Sequence, residues 1–360
     1  MRALRFARLA RFARFTALAV SALLGGGCGG SFTLPEETPG GVIPEAGSYA
    51  YNGSIRGLGE PTDVLLTLGT GTSLYVVGDS AYVRQYPRFF RPDGSTPPIG
   101  TSFTGFHKPT KIAQGPAVLF VLDAGDTLLA QTDTTRGPGF LRFGLTGGAP
   151  TLVRRDTSIA EARGIAADAQ GNVYVSCIAK EFIRDDPLDS RRRTFKYVSR
   201  VYRYLAAQGY ARDAEFFVGD GQGIGIVSDP GDCFVRARGG VTYLYVADTG
   251  KDLCQRLTVV DGNRGESLPS LAIDGSESGA PMQVPPDFGA DDAGFMYAVD
   301  RGRPRVLRFD ANGGFERRVD LESDLDGDSL HVPVAVSADD SLAYVVDRAT
   351  GKISAYKKRK

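Results

Sequence analysis

Apolar positions along this chain repeat with a period of two in short runs, and the runs themselves repeat as one phrase. The phrase has a strand opened by Pro, a Gly or Asp turn, and a second, almost wholly apolar strand ending in aromatic-Val-x-Asp, with Ala162 and Cys177 in place of the Pro and the Asp in one copy. The clearest copies are residues 109–123 (PTKIAQGPAVLFVLD), 162–177 (ARGIAADAQGNVYVSC), 286–300 (PDFGADDAGFMYAVD) and 333–347 (PVAVSADDSLAYVVD). Residues 61–79 and 230–248 are copies with longer loops, which makes six. A third strand follows the closing turn at residues 201–204 (VYRY), 257–260 (LTVV), 306–309 (VLRF) and 353–356 (ISAY). The β-branched and aromatic content of these runs suits a pleated, half-buried surface.

With the closing residue as marker (Asp79, Asp123, Cys177, Asp248, Asp300, Asp347), the copies are 44, 54, 71, 52 and 47 residues apart. That is the scale of a four-stranded blade. A blade cannot bury both faces alone, so the repeat predicts an all-β, six-bladed β-propeller over residues 48–356. The last copy supplies three strands only, and the alternating segment 48–55 (SYAYNGSI) precedes the first. It is expected to close the last blade as its fourth strand, leaving no open edge in the ring. The copies at residues 162–175 and 244–250 (LYVADTG) resemble NHL-repeat propeller blades. That resemblance implies the architecture and leaves function open, because such propellers serve both as binding platforms and as enzymes.

Ahead of the propeller, Arg2, Arg5, Arg8, Arg11 and Arg14 precede a ten-residue apolar run, residues 15–24 (FTALAVSALL), too short to span a bilayer. This reads as a signal peptide over residues 1–27. Three glycines then lead into Cys28, which resembles a bacterial lipoprotein signal with Cys28 as the lipidated residue, although Gly25 stands where that pattern prefers Leu. Ordinary secretory cleavage, or an amphipathic N-terminal helix lying on a membrane, are the alternatives. Residues 28–47, rich in Gly, Pro, Thr and Glu, read as the anchor and a flexible tether, and residues 357–360 as a basic tail. Gly29 lacks the Asp associated with inner-membrane retention, so the expected location is the cell envelope, on the outer-membrane side.

The chain carries 42 basic and 42 acidic residues. Removing the five leader arginines leaves 37 basic against 42 acidic, and a chain near −5 offers nothing to nucleic acid. Two His exclude a three-His metal centre. His107 and His331 stand at equivalent places, each two residues ahead of the Pro that opens its copy. They could act as acid and base or as ligands, or simply serve the loop. Lactonase-like propellers resemble this outline, and that resemblance implies a channel calcium with a Glu just ahead of the first innermost strand. Glu60 matches the place, but the asparagines (Asn52, Asn172, Asn263, Asn312) fall in strand edges or turns, so an Asn ligand is missing.

Asp324, Asp326 and Asp328 alternate around Gly327 as in a calcium loop, without the Glu of an EF-hand. The repeated Asp column is expected to hold the backbone of its own turns. The insertion at residues 180–196, with Arg191, Arg192 and Arg193 beside Asp185, Asp186 and Asp189, is a rim feature suited to partner contacts or merely solvated. Cys233 and Cys254 begin the first and third strands of one copy, and export permits a disulfide between them.

The expected function is therefore a lipid-anchored binding or scaffolding module whose partner, protein or glycan, meets a propeller face, with no cofactor beyond a calcium ion. The competing reading is a metal-dependent hydrolase or lyase working in the channel through Glu60, His107 and His331.

Overall fold

In a computed structural model of the chain, the described residues are 47–67, 73–78, 81–88, 99–125, 137–145, 147–186, 189–320 and 329–360. In chain order the strands are β1 (Tyr49–Ile55), β2 (Pro61–Leu66), β3 (Ser73–Gly78), β4 (Tyr82–Pro87), β5 (Thr101–Phe103), β6 (Pro109–Gly115), β7 (Val118–Asp123) and β8 (Gly139–Gly144). They continue as β9 (Gly147–Arg155), β10 (Ile159–Ala167), β11 (Val173–Asp186), β12 (Asp189–Leu205), β13 (Ala211–Val218), β14 (Pro230–Arg238), β15 (Val241–Asp248) and β16 (Leu253–Thr258). The last are β17 (Ser270–Ile273), β18 (Phe288–Ala290), β19 (Met296–Asp300), β20 (Arg305–Phe309), β21 (Phe315–Arg318), β22 (Pro333–Ala338), β23 (Leu342–Asp347) and β24 (Lys352–Lys358).

These form six four-stranded antiparallel sheets. Five are built from consecutive strands, and the sixth has the order β1-β24-β23-β22. The protein is a six-bladed β-propeller closed as the sequence predicts: Tyr49 pairs with Lys358 and Ile55 with Ile353. No described helix is long and apolar enough to cross a membrane.

The core lies between blades rather than inside any one of them. Six apolar clusters occupy the six blade–blade boundaries. Strand β7 shows why its sequence is continuously apolar: Leu119 and Val121 pack toward the first blade, while Phe120 and Leu122 pack toward the third. A strand buried on both faces has no polar side to display, so alternation disappears. The boundary between the last blade and the first joins Ile55, Tyr344 and Val346 to Val64, Leu74 and Val76, so the closing strand contributes to the core as well as to the sheet.

The marker aspartates Asp123, Asp248, Asp300 and Asp347 bind the loop that leads into their own blades. Asp123, fully buried, accepts the backbone N–H groups of His107, Lys108 and Gly125, and Asp347 accepts those of His331, Val332 and Ala349. Each carboxylate thus serves its own turn, as expected, and a loop 15 or 16 residues upstream as well.

The expected disulfide does not form. Cys177, Cys233 and Cys254 are buried free thiols. Strand β15 lies between the two partners, with Cys233 opposite Val246 and Cys254 opposite Ala247. Two strand spacings are about 9–10 Å, beyond the about 7 Å that a disulfide allows between Cα atoms.

Candidate functional site: the channel and the blade-three ribbon

The first strand of every blade lines the channel, and each touches the first strands of both neighbours. In β2, β6, β10, β14 and β22 the register slips near the start of the strand. Such a bulge re-aims the residue beside it. The residues opposite the position just before the marker are Lys111, Gly164 and Ala335; Asp63, opposite Val77, Asp232 and Asp287 occupy the same level. Five of these six levels carry a charged group or the glycine that makes room for one.

An innermost strand is a sheet edge, and its inward N–H groups lack a strand partner. The buried carboxylates supply one. Asp63 accepts from Ile112 of the next blade at 2.8 Å, and Asp287 accepts from Val336 of the next blade at 2.6 Å. Asp232 accepts from its own Cys233 at 2.7 Å and from Ile165 of the preceding blade at 3.3 Å. Lys111 lies among the three carboxylates, its Nζ 2.7 Å from Asp232 and 3.7 Å from Asp63. Gly164 is required by this approach, because a Cβ there would lie 2.6 Å from Asp232 atoms.

Oxygens of Asp63, Asp232 and Asp287 all fall within 4.8 Å of one another, the geometry of a cluster that could hold a metal ion. With all three carboxylates ionised, one ammonium would leave two negative charges in excess, a burial cost that raises the carboxyl pKa values instead. Burial, with the neighbouring carboxylates, pushes Asp63 well above the usual carboxylate range against the pull of Lys111. Burial likewise brings Asp287 up to about 7, Lys111 lowering it and Asp232 raising it. Burial alone would lower the Lys111 ammonium, but Asp232, Asp63 and Asp287 outweigh it and raise it.

The three carboxylates form the floor of a cavity of about 500 Å³. Its walls come from the remainder of the inner strands, including Leu66, Ala113, Val235 and Ala338, and its far end is ringed by Pro116, Ala169 and Ala237, which are exposed. The mouth therefore lies on the face of the turns joining first to second strands. The chain begins its closing strand on that face too, since Tyr49 pairs with Lys358, whose N–H donates to Ser341 in one of those turns.

The residues singled out in the sequence lie at the opposite face and do not line this cavity. Glu60 is exposed and accepts a 2.8 Å hydrogen bond from Arg348. His107 and His331 are exposed and give their backbone N–H groups to Asp123 and Asp347, and the His331 imidazole is 3.7 Å from Asp347. Asp324, Asp326 and Asp328, and Cys28 with its signal and tether, lie outside the described residues.

The charged insertion is a projecting two-stranded ribbon. Strands β11 and β12 continue past Ala179, the last β11 residue paired with β10, and there pair only with each other. Phe182 faces Phe195 across the ribbon with ring centroids 6.3 Å apart, and Lys180 faces Tyr197. Phe182 and Ile183 are each 55% exposed and Tyr197 is 61% exposed. The Arg200 guanidinium holds Glu181 at 2.5 Å near the ribbon root.

No protein-family profile and no curated protein sequence matches the chain. Solved structures do. A protein of unknown function from Bacteroides thetaiotaomicron shares 12% identity over 88% of this chain and 73% of its own, with a TM-score of 0.56. A gluconolactonase from Xanthomonas campestris shares 12% over 86% and 88%, with a TM-score of 0.54. Virginiamycin B lyase from Staphylococcus aureus shares 8% over 84% and 98%, with a TM-score of 0.51. The likeness is one of fold. At these identities it carries no activity across.

Proposed function

We propose that this is an exported, lipid-anchored, NHL-like propeller that works by non-covalent binding of a protein partner at the bacterial cell envelope, on the outer-membrane side. The observation that carries the reading is the ribbon. Its exposed Phe182, Ile183, Phe195 and Tyr197 make up four of the nine exposed large hydrophobic side chains among the described residues, gathered on one hairpin. Solvated rim loops do not collect apolar and aromatic groups, whereas interface centres are enriched in Tyr, Phe and Arg. The ribbon stands on the face opposite the start of β1, so a tether from Cys28 would leave it free to reach outward.

Photo-crosslinking in intact cells tests this directly. A photoreactive residue in place of Tyr197 is expected to give a discrete protein adduct that the same residue at exposed Val241 does not. No adduct at 197, the same pattern at both positions, or adducts to glycan alone would overturn the protein-binding reading.

A second reading, a metal-dependent hydrolase or lyase, is favoured by one observation, the clustering of Asp63, Asp232 and Asp287 on the channel cavity. These three would hold the ion, which would act as a Lewis acid on a substrate carbonyl. Glu60, His107 and His331 would take no part, being on the other face.

A further inference from the structure

We propose that the channel cavity is a binding site for a small organic cation, an amine whose charged nitrogen meets Asp63 and Asp287 at the floor and whose apolar body lies along the walls. Room comes first. A β-propeller encloses a central channel, and here Ala113, Ala167, Gly289 and Ala338 are among the residues lining about 500 Å³ of it, within the usual size of small-molecule sites. Those residues come from four different blades, so the space is not one local packing defect.

The floor supplies the charge. Asp63, Asp232 and Asp287 face the cavity, whereas Lys111 is not among its lining residues, so an incoming group meets carboxylate oxygen. The cluster is also not closed upon itself. The Lys111 Nζ, fully shielded from solvent, is within hydrogen-bond distance of Asp232 alone, with no well-formed hydrogen bond, although an ammonium carries three hydrogens. A purely structural buried ion pair satisfies its partners, and this one retains unspent donors beside three carboxyl groups that a single ammonium cannot balance.

An organic cation fits better than a metal ion. The Lys111 ammonium already stands beside Asp232 and Asp63, and it repels a doubly charged ion more than a singly charged one. Calcium wants six to eight oxygens at close range, whereas an alkylammonium accepts two carboxylates and uses the aliphatic walls. An anion would meet the surplus carboxylates directly.

The test is calorimetric titration of the purified protein with cyclohexylammonium, its neutral isostere cyclohexanol, and calcium chloride. The expected result is one cyclohexylammonium per chain, with at least a tenfold loss in Asp287→Asn. Ala338→Leu, which narrows the cavity without touching the floor, should also abolish binding. Equal binding of cyclohexanol, unchanged affinity in both variants, no saturable amine binding at millimolar concentration, or binding of calcium alone would overturn the proposal. Because Tyr197 lies on the ribbon, Tyr197→Ser should leave amine binding intact, so this site and the protein-binding reading stand or fall separately.

Discussion

Lys111 in the second blade and Asp232 in the fourth meet at 2.7 Å across the third, where Gly164 stands between them. A charged pair that skips a blade couples three of the six first strands to one another. The carboxylate-to-backbone bonds of Asp63 and Asp287 extend the same tie to the first, fifth and sixth. Every blade is thus joined to the charged layer at the floor of the cavity.

Removing the only cation of that layer should be costly. Lys111→Met leaves three buried carboxylates without a counter-charge, and breaking a buried pair in this way costs about 3–5 kcal/mol. The loss should be largest at pH 8 and smaller at pH 5, where Asp63 and Asp287 hold protons. Denaturant midpoints of both proteins at the two pH values check this.

Asp287→Asn should do the opposite at alkaline pH. The wild-type carboxyl has its folded pKa raised to about 7, so the folded state keeps a proton that the unfolded chain releases near 4. Stability from this group therefore falls as pH rises between those values. The amide keeps an acceptor for Val336 and has no charge to bury. Its Tm should match or exceed the wild type at pH 8, with a flatter profile from pH 4 to 7; a steeper profile in the variant would contradict this.

How much of this was legible in sequence follows from what each feature depends on. The blades, their number and the closing strand were legible, because a strand buried on both faces reads as an unbroken apolar run, as in residues 118–123, and because the phrase repeats. The charged layer was not. Asp63, Lys111, Asp232 and Asp287 each stand two residues after a Pro (Pro61, Pro109, Pro230 and Pro285), although β18 begins only at Phe288 and its pairing shows no slipped register. A column that reads Asp, Lys, Gly, Asp, Asp and Ala around the ring mixes both charges with small residues, so it does not stand out as a motif. Histidines were conspicuous for their rarity, and their equivalent places reflect the Asp123 and Asp347 caps. The ribbon was visible as an insertion, but only the pairing of Phe182 with Phe195 and of Lys180 with Tyr197 shows that Phe182, Phe195 and Tyr197 share one face.

Thiol chemistry offers a direct check of the core. Burial raises the pKa of Cys177, Cys233 and Cys254 well above the ordinary thiol range, so none should react in the native protein. Three thiols should react after denaturation of residues 47–360. One would mean that Cys233 and Cys254 are bridged after all.

Closure can be separated from tethering by truncation. Deleting residues 48–55 removes the edge that covers β24 and the contribution of Ile55 to the boundary core, and should lower Tm far more than deleting residues 29–46. Equal midpoints for the two deletions would refute closure by β1.

The most direct test of a binding protein against a channel enzyme is the metal content of purified residues 47–360, measured by mass spectrometry beside an Asp63→Asn, Asp232→Asn double variant. With Lys111 as the resident cation of the carboxylate layer, the wild type should carry no stoichiometric divalent metal and should differ in no way from the variant. One metal ion per chain, lost in the variant, would contradict this and place the chemistry in the channel.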